Sequence, residues 1–463
     1  MLKRVLIANR GEIALRILRA SREMGIETVA VYSKADEPAL HVQLATQAVC
    51  IGPAQPAESY LNQNALLAVA KATGCDGVHP GYGFLSENAD FAEACARAGI
   101  AFIGPPAEVI RRAGDKSAAR DMMRSAGVPV TPGSDGPVAS EEAALEAAQR
   151  VGYPVLIKAS AGGGGRGIRR CDNPQELVSR YAQAKAEARA CFGNDEVYLE
   201  KLIVRPRHIE FQILADRHGH VIHLGDRDCS VQRRNQKLIE EAPAKCLSSR
   251  LREEMGRAAI RAAQAVGYES AGTVEFLLDS DGEHFYFMEM NTRIQVEHGV
   301  TEMITGVDLV KEQLRVASGL PLGVAQEDVR FSGHAIECRI NAEDPQRDFC
   351  PSPGVVEFVH FPGGNGVRVD SSLYSGSELS PYYDSLVAKV MVTAPTRLEA
   401  IKRMRRSLEE FMLEGFATNS ELSYQIMYHP AFIRGNCTTS FLEENLPQLL
   451  DFIRRLNQEG MDS

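Results

Sequence analysis

The nine residues Glu289-Met290-Asn291-Thr292-Arg293-Ile294-Gln295-Val296-Glu297 alternate without a break. The odd positions are Glu, Asn, Arg, Gln and Glu; the even positions are Met, Thr, Ile and Val. An extended chain sends alternate side chains to opposite faces. The stretch therefore predicts a strand with one face in a core. Its other face carries two carboxylates, two amides and a guanidinium. A solvated edge strand can alternate in the same way, but such faces are usually rich in Thr, Lys and Ser. This one has no Lys and consists of groups that bind metal ions and small oxyanions.

A chain of 463 residues predicts two to four domains. Apolar residues make up 44% and charged residues 24%, enough for a substantial core. The net charge of −10, without a long basic run, argues against nucleic acid and anionic membrane as partners. A locally basic site for an anionic substrate remains compatible with it. The ten cysteines include no CxxC pair and no Cys/His cluster with zinc spacing. They read as buried or idle thiols in a reducing compartment. Only five uncharged residues separate Lys3-Arg4 from Arg10, too few for a signal-peptide core. No apolar run approaches the length of a membrane span. The expectation is a soluble, cytoplasmic protein.

Val5 to Ala8 is a short apolar run, followed by a helical pattern at Ile13, Ala14, Ile17 and Leu18 that Gly25 ends. Thr28 to Val31 starts the next strand, and the theme recurs to about Ile103. Strand–helix–strand is the unit of a parallel sheet, so the first 110 residues or so read as an open α/β domain. From Gly114 the texture changes. Helices are expected at about 117–125, 140–150, 249–266 and 307–318. Strands are expected at 154–158, 196–201, 208–215, 220–224, 273–278 and 284–290. A third region follows Pro321, with an amphipathic helix over roughly 396–413. Its predicted apolar stripe is Leu398, Ile401, Met404, Leu408 and Phe411.

Gly162 to Gly167 matches GxGxxG, but no helix opens directly after it, so the dinucleotide reading fails. A glycine run beside Lys158 and Arg166 can still cradle phosphates with backbone N–H groups. The alternative is a flexible linker. Glu275 and Glu289 lie on the two arms of a predicted hairpin through Asp281-Gly282. A two-residue turn would set Glu275 opposite Met288 and send the two carboxylates to opposite faces. An odd loop or one bulge would bring them together. Paired carboxylates need a cation or a proton between them. Glu275, Glu289 and Asn291 make an oxygen-ligand set for Mg²⁺ in a nucleotide site. The sequence therefore predicts the odd loop or the bulge.

These motifs, in this order, resemble biotin carboxylase, the ATP-grasp component of biotin-dependent carboxylases. The likeness covers nearly the whole chain. It is carried by Ile7 to Ala14, His79 to Glu87, Gly114 to Lys116, the glycine loop, Asp228 to Lys237, Glu289 to His298 and Glu337 to Asp344. It implies an α/β and α+β multidomain chain. An N-terminal Rossmann-like open α/β domain would span 1–113 and an ATP-grasp domain 114–330, with a mobile lid at about 131–203. A mixed α/β C-terminal domain would span 331–446, with a tail at 447–463. The resemblance further implies roles. Lys116 and Lys158 would contact ATP phosphates under a loop containing Gly164 and Gly165. Glu200, Lys201 and Ile203 would contact adenine, partly through backbone. His208, Gln232 and Asn235 would lie near the nucleotide. Glu275, Glu289 and Asn291 would hold Mg²⁺ or Mn²⁺, two ions in all. Lys237, Arg293, Gln295 and Val296 would bind bicarbonate, and Glu297 would be its general base. Arg339 would face the biotin ureido oxygen, with Tyr82 nearby. Implied partners are a biotin carboxyl carrier protein, carboxyltransferase subunits as in acetyl-CoA carboxylase of fatty acid biosynthesis, and a second copy in a homodimer.

The chain departs from the family pattern at Asn235 (often His), Gly299 (often Pro), Ala161 (often Gly) and Asn365 (often aromatic). Gly299 reads as loosening the end of the key strand. No biotin-attachment motif is present, so the biotin is expected on a separate protein. Two other readings remain: a different ATP-grasp ligase, and a nucleotide-binding paralogue without catalysis. The bicarbonate-like set around Arg293, with Arg339, argues against the first. The presence of Lys237, Arg293, Glu297 and Arg339 together argues against the second.

Overall fold

The computed structural model describes residues 1–160 and 167–461. The N-terminal region is a five-stranded parallel sheet in the order β3-β2-β1-β4-β5. Its strands are β1 (Arg4–Ile7), β2 (Glu27–Ser33), β3 (Gln47–Gly52), β4 (Gly77–His79) and β5 (Ala101–Phe102). Val5, Leu6 and Ile7 are all fully buried, as a strand covered on both faces requires. The helix Gly11–Glu23 buries Ile13, Ala14, Ile17 and Leu18 as its spacing predicts.

A small lobe follows, built on β6 (Val155–Ala159), β7 (Ile168–Cys171) and β8 (Val197–Lys201) in the order β7-β6-β8. The helices Glu141–Val151 and Pro174–Phe192 cover it. Ala148, Val155, Ile157, Leu177 and Leu199 give it a core of its own. Gly164 and Gly165 of the glycine loop lie outside the described residues.

The central element is an eight-stranded sheet. Its strands are β9 (Arg207–Ala215), β10 (Val221–Arg233), β11 (Gln236–Ala242), β12 (Ser270–Leu278), β13 (Phe285–Asn291), β14 (His334–Asn341), β15 (Val367–Ser371) and β16 (Leu386–Ala394). They lie in the order β13-β12-β9-β10-β11-β14-β16-β15. One sheet thus runs from the carboxylate hairpin into the C-terminal region, through the β11–β14 ladder.

Three sequence expectations need correction. β10 does not stop at Leu224. It continues to Arg233, because a register shift at Gly225, whose φ is +83°, lets the chain kink and resume pairing. The strand read over 289–297 ends at Asn291. Beyond it the Thr292 amide donates to a Glu87 carboxylate oxygen of the N-terminal region (3.1 Å) instead of to a neighbouring strand. The alternation holds only as far as Gln295: Thr292 and Ile294 are buried and Arg293 and Gln295 line the cleft described below, but in the turn that follows Val296 also lines it and Glu297 is buried. In the helix Arg397–Glu410, Leu398 is 53% exposed, and Ala400 joins Ile401, Met404 and Leu408 in the core. Ala400 lies four residues before Met404, one turn along the same stripe, whereas Leu398 sits at its edge. From 447 the chain runs on within the helix Phe441–Met461, and Leu449 and Ile453 pack into the C-terminal core.

Candidate active site

A cleft of about 1340 Å³ opens where the N-terminal sheet, the small lobe and the central sheet meet. It gathers nearly every residue singled out above. Lys158, Glu200, Lys201 and Ile203 line it from the small lobe and the chain that leaves it, and Tyr82 lines it from the N-terminal region. His208, Gln232, Asn235, Lys237, Glu275 and Glu289 line it from the central sheet. Asn291, Arg293, Gln295 and Val296 enter from the end of β13, Arg339 from β14, and Lys116 from the start of the helix Lys116–Ser125. Glu297 lies just behind the wall, fully buried.

The two carboxylates meet as the sequence demanded. Leu278 to Phe276 pair with Phe285 to Phe287, the register then slips by one residue at Met288, and Glu275 pairs directly with Glu289. Met288 is the bulged residue, and it is 37% exposed. Glu289 reaches towards Lys116 Nζ (3.6 Å). Asn291 is buried, and its side-chain Nδ2 has no hydrogen-bond partner among the described residues. Two facing carboxylates and an amide oxygen at the wall of one cleft suit a hard divalent cation. A tighter group of possible ligands, His208, Glu210 and Glu275, sits deeper. That group already holds the Lys237 ammonium, so the more open Glu275–Glu289 pair fits the metal better.

Behind the Glu275–Glu289 pair lies a buried charge network. Lys237 Nζ donates to Glu210 (2.5 Å), Glu275 (2.9 Å) and Glu297 (2.6 Å). A bulge at Leu238 in β11 sets this lysine in place. Arg227, fully buried, donates through Nε to Glu210 (2.5 Å). Arg339 donates through Nη2 to Glu297 (2.9 Å) and through Nε to Glu240 (2.6 Å). Burial alone would push the Glu297 carboxyl up, but Lys237 and Arg339 outweigh it and hold it well below its ordinary value. Glu275 is likewise held down, burial being outweighed by Lys237 and His208, whose Nε2 lies 3.0 Å away. Glu297 is thus ionised at neutral pH, a proton acceptor between two cations.

Arg293 donates through Nε to Glu87 (2.9 Å) and through Nη1 to Gln295 Oε1 (3.0 Å). Lys158 and Glu200 form an ion pair on neighbouring strands, and Arg120 Nε stands 3.8 Å from the same carboxylate. Lys201 Nζ is tied to the carbonyls of Gly152 (2.9 Å) and Tyr153 (2.8 Å). The Tyr82 hydroxyl donates to Glu12. Sequence reasoning missed Glu210, Arg227, Glu240, Arg120 and Glu87. Parity would have found Glu210: His208, Glu210 and Gln212 alternate with Ile209, Phe211 and Ile213, the same polar-over-apolar code as at 289–297.

Two departures have local explanations. Arg234 and Asn235 form the two-residue β10–β11 turn with φ of +47° and +65°, and Asn tolerates that conformation well. Gly299 lies in the helix His298–Thr305, not at a strand end. A β-carbon there would sit 2.2 Å from Met391 Sδ, so a buried methionine occupies the space. Asn365 is exposed in the turn before β15.

The family model described as biotin carboxylase, N-terminal domain, matches residues 1–110. The one for carbamoyl-phosphate synthase L chain, ATP binding domain, matches 115–325, and that for the biotin carboxylase C-terminal domain matches 337–444. Biotin carboxylase 1 of Bacillus subtilis (strain 168) is 56% identical over 96% of this chain and 98% of its own. The 2-oxoglutarate carboxylase small subunit of Hydrogenobacter thermophilus is 51% identical over 99% of this chain and 97% of its own. The crystal structure of the biotin carboxylase domain dimer of that organism's 2-oxoglutarate carboxylase contains MgADP, ADP and bicarbonate. It superposes with a TM-score of 0.90 at 51% identity, over 97% of this chain and 98% of its own.

Proposed function

The chain belongs to the biotin carboxylase family, and from that membership we propose that it carboxylates biotin at N1 with ATP and bicarbonate, through carboxyphosphate. It is an ATP-dependent ligase, the biotin carboxylase part of a biotin-dependent carboxylase. The observation that carries the reading is the buried Glu297 between Lys237 (2.6 Å) and Arg339 (2.9 Å), behind the cleft that Arg293 and Gln295 line. Bicarbonate is a planar anion that the Arg293 guanidinium and the Lys237 ammonium suit. Glu297 takes its proton as an oxygen attacks the γ-phosphate. Lys116 and Lys158 hold the phosphates. Mg²⁺, when bound, neutralises phosphate charge, and Glu275, Glu289 and Asn291 would hold it. Carboxyphosphate hydrolyses readily, so closure of the small lobe over the cleft would serve to keep water out. Arg339 stabilises the negative charge that develops on the ureido oxygen as the N1 proton passes to the phosphate released from carboxyphosphate.

The biotin arrives on a separate carrier protein, and a separate carboxyltransferase selects the final acceptor. The chain works as a homodimer in the cytoplasm. No helix among the described residues is long and apolar enough to cross a membrane.

ADP release measured with Mg²⁺ and bicarbonate, with and without biotin, tests the proposal. Biotin is expected to stimulate release, and Glu297→Ala is expected to lower it by about 10²–10⁴-fold while ATP still binds. ATP binding without stimulation by either free biotin or a biotinylated carrier domain would refute it.

A further inference from the structure

Glu240 of β11 and Glu337 of β14 stand directly opposite each other in an antiparallel ladder. Both are fully buried. Directly opposed side chains on a ladder have β-carbons about 5 Å apart. One oxygen of Glu240 accepts from Arg339 Nε (2.6 Å). Its other oxygen, and both oxygens of Glu337, have no hydrogen-bond partner among the described residues. The neighbouring cations are committed elsewhere. Lys389 Nζ, from β16, donates to the Val296 carbonyl (2.8 Å) and lies 3.1 Å from Glu12 and 3.8 Å from Asp370. Lys237 is shared by Glu210, Glu275 and Glu297. The other titratable groups near the pair are Glu297, just before the helix His298–Thr305, Tyr82 from the N-terminal region, Cys229 of β10 and Cys338 of β14. Arg339 already serves Glu240 and Glu297.

Two buried carboxylates opposed on one ladder, with three of their four oxygens unpartnered among the described residues, are strongly disfavoured unless a proton sits between them. We propose that Glu240 and Glu337 share a single proton, and that neutral Glu337 keeps Glu240 ionised and seated on Arg339. Both are then positioning residues for the guanidinium that serves biotin. Burial raises the Glu337 carboxyl well above its ordinary value, more than Lys389 can offset. Burial brings Glu240 to about 7 against the pull of Arg339. Loss of the shared proton at alkaline pH leaves two opposed charges in the ladder and pulls Arg339 off its seat. The kinetic half of this inference rests on the biotin-carboxylating reading; the shared proton itself does not.

The test has two arms on the purified full chain. In the first, infrared difference spectra at neutral pH compare wild type with Glu337→Gln. A protonated-carboxyl stretch, shifted in D₂O, is expected in wild type and absent from the variant. In the second, the biotin-stimulated rate of ADP release is followed against pH. The alkaline limb of wild type is expected to move up by at least about one pH unit in Glu337→Gln, because an amide cannot lose that proton. The KM for ATP should stay fixed in Glu240→Gln while the KM for biotin rises about tenfold, as expected when a charge-assisted contact to Arg339 is weakened. If Glu337→Gln does not fold, Glu240→Gln reads the same proton: the acid band should shift as its acceptor changes from carboxylate to amide. Absence of the acid band from wild type, or superimposable pH profiles, would overturn the inference. A wild type that biotin fails to stimulate would count against the proposed function instead, and the infrared arm would still decide the shared proton.

Discussion

Replacing Lys237 by Met removes one ammonium from three carboxylates at 2.5, 2.9 and 2.6 Å. At an effective dielectric constant of about 20, each contact is worth about 6 kcal/mol of raw attraction, most of it offset by desolvation of the charges. The three carboxylates are not equally exposed to the loss. Glu210 keeps Arg227 and Glu297 keeps Arg339. Glu275 keeps only the weaker partner His208 and a Gln295 amide at 3.2 Å. Leaving one buried charge poorly compensated sets the cost at about 3 kcal/mol, the low end for breaking a buried ion pair. The pH dependence is diagnostic. In wild type the Glu275 pKa is depressed, so its contribution is present above the unfolded value and lost as the pH falls. In Lys237→Met the group instead rises above the unfolded value, so the deficit is full at high pH and shrinks as the carboxyl protonates. Thermal unfolding from about pH 8 to about pH 5 should show the gap between wild type and variant narrowing steadily. A gap independent of pH, or below about 0.5 kcal/mol throughout, would refute the assignment of Lys237 as the charge that holds this site together.

Gly299→Ala should cost about 1–3 kcal/mol, because its β-carbon meets Met391 Sδ in a closed core. The double variant with Met391→Ala should recover part of that loss, as read by melting temperature. Burial pushes the Glu241 carboxyl up, but the hydrogen bond with His334 and the Arg397 guanidinium bring it down to about 2. Measured against its ordinary value of 4.5, that depression is worth about 3 kcal/mol. It is present above about pH 4.5 and lost as the pH falls towards 2. Glu241→Gln should therefore flatten the acid limb of the stability profile, and an unchanged limb would refute the pairing.

Parity carried much of the reading from sequence to site. Glu289, Asn291, Arg293 and Gln295 reach the same cleft although only the first two belong to a strand. The chain bends away from the ladder after Asn291, where Glu87 accepts from the Thr292 amide in place of a neighbouring strand, and no local pattern announces that contact. The Met288 bulge was legible because two carboxylates had to meet. The bulges at Gly225 and Leu238 were not, since nothing comparable forced them. The charge network was the least legible part. Glu240 and Glu337 are 97 residues apart, and their opposition exists only once β11 pairs with β14. Leu398 shows the converse limit: an apolar residue at helical spacing stays 53% exposed because nothing packs on its edge of the stripe.

The β11–β14 ladder has a mechanical consequence. It joins the strands carrying Lys237, Glu275 and Glu289 and the strand carrying Arg339 into one sheet. The distance from the carboxylate hairpin to that arginine is set by strand spacing within this sheet, of which the small lobe's strands are no part. A cut between the central and C-terminal regions would not release two folding units. It would tear a sheet and leave two raw edges, each ready to pair with the wrong neighbour.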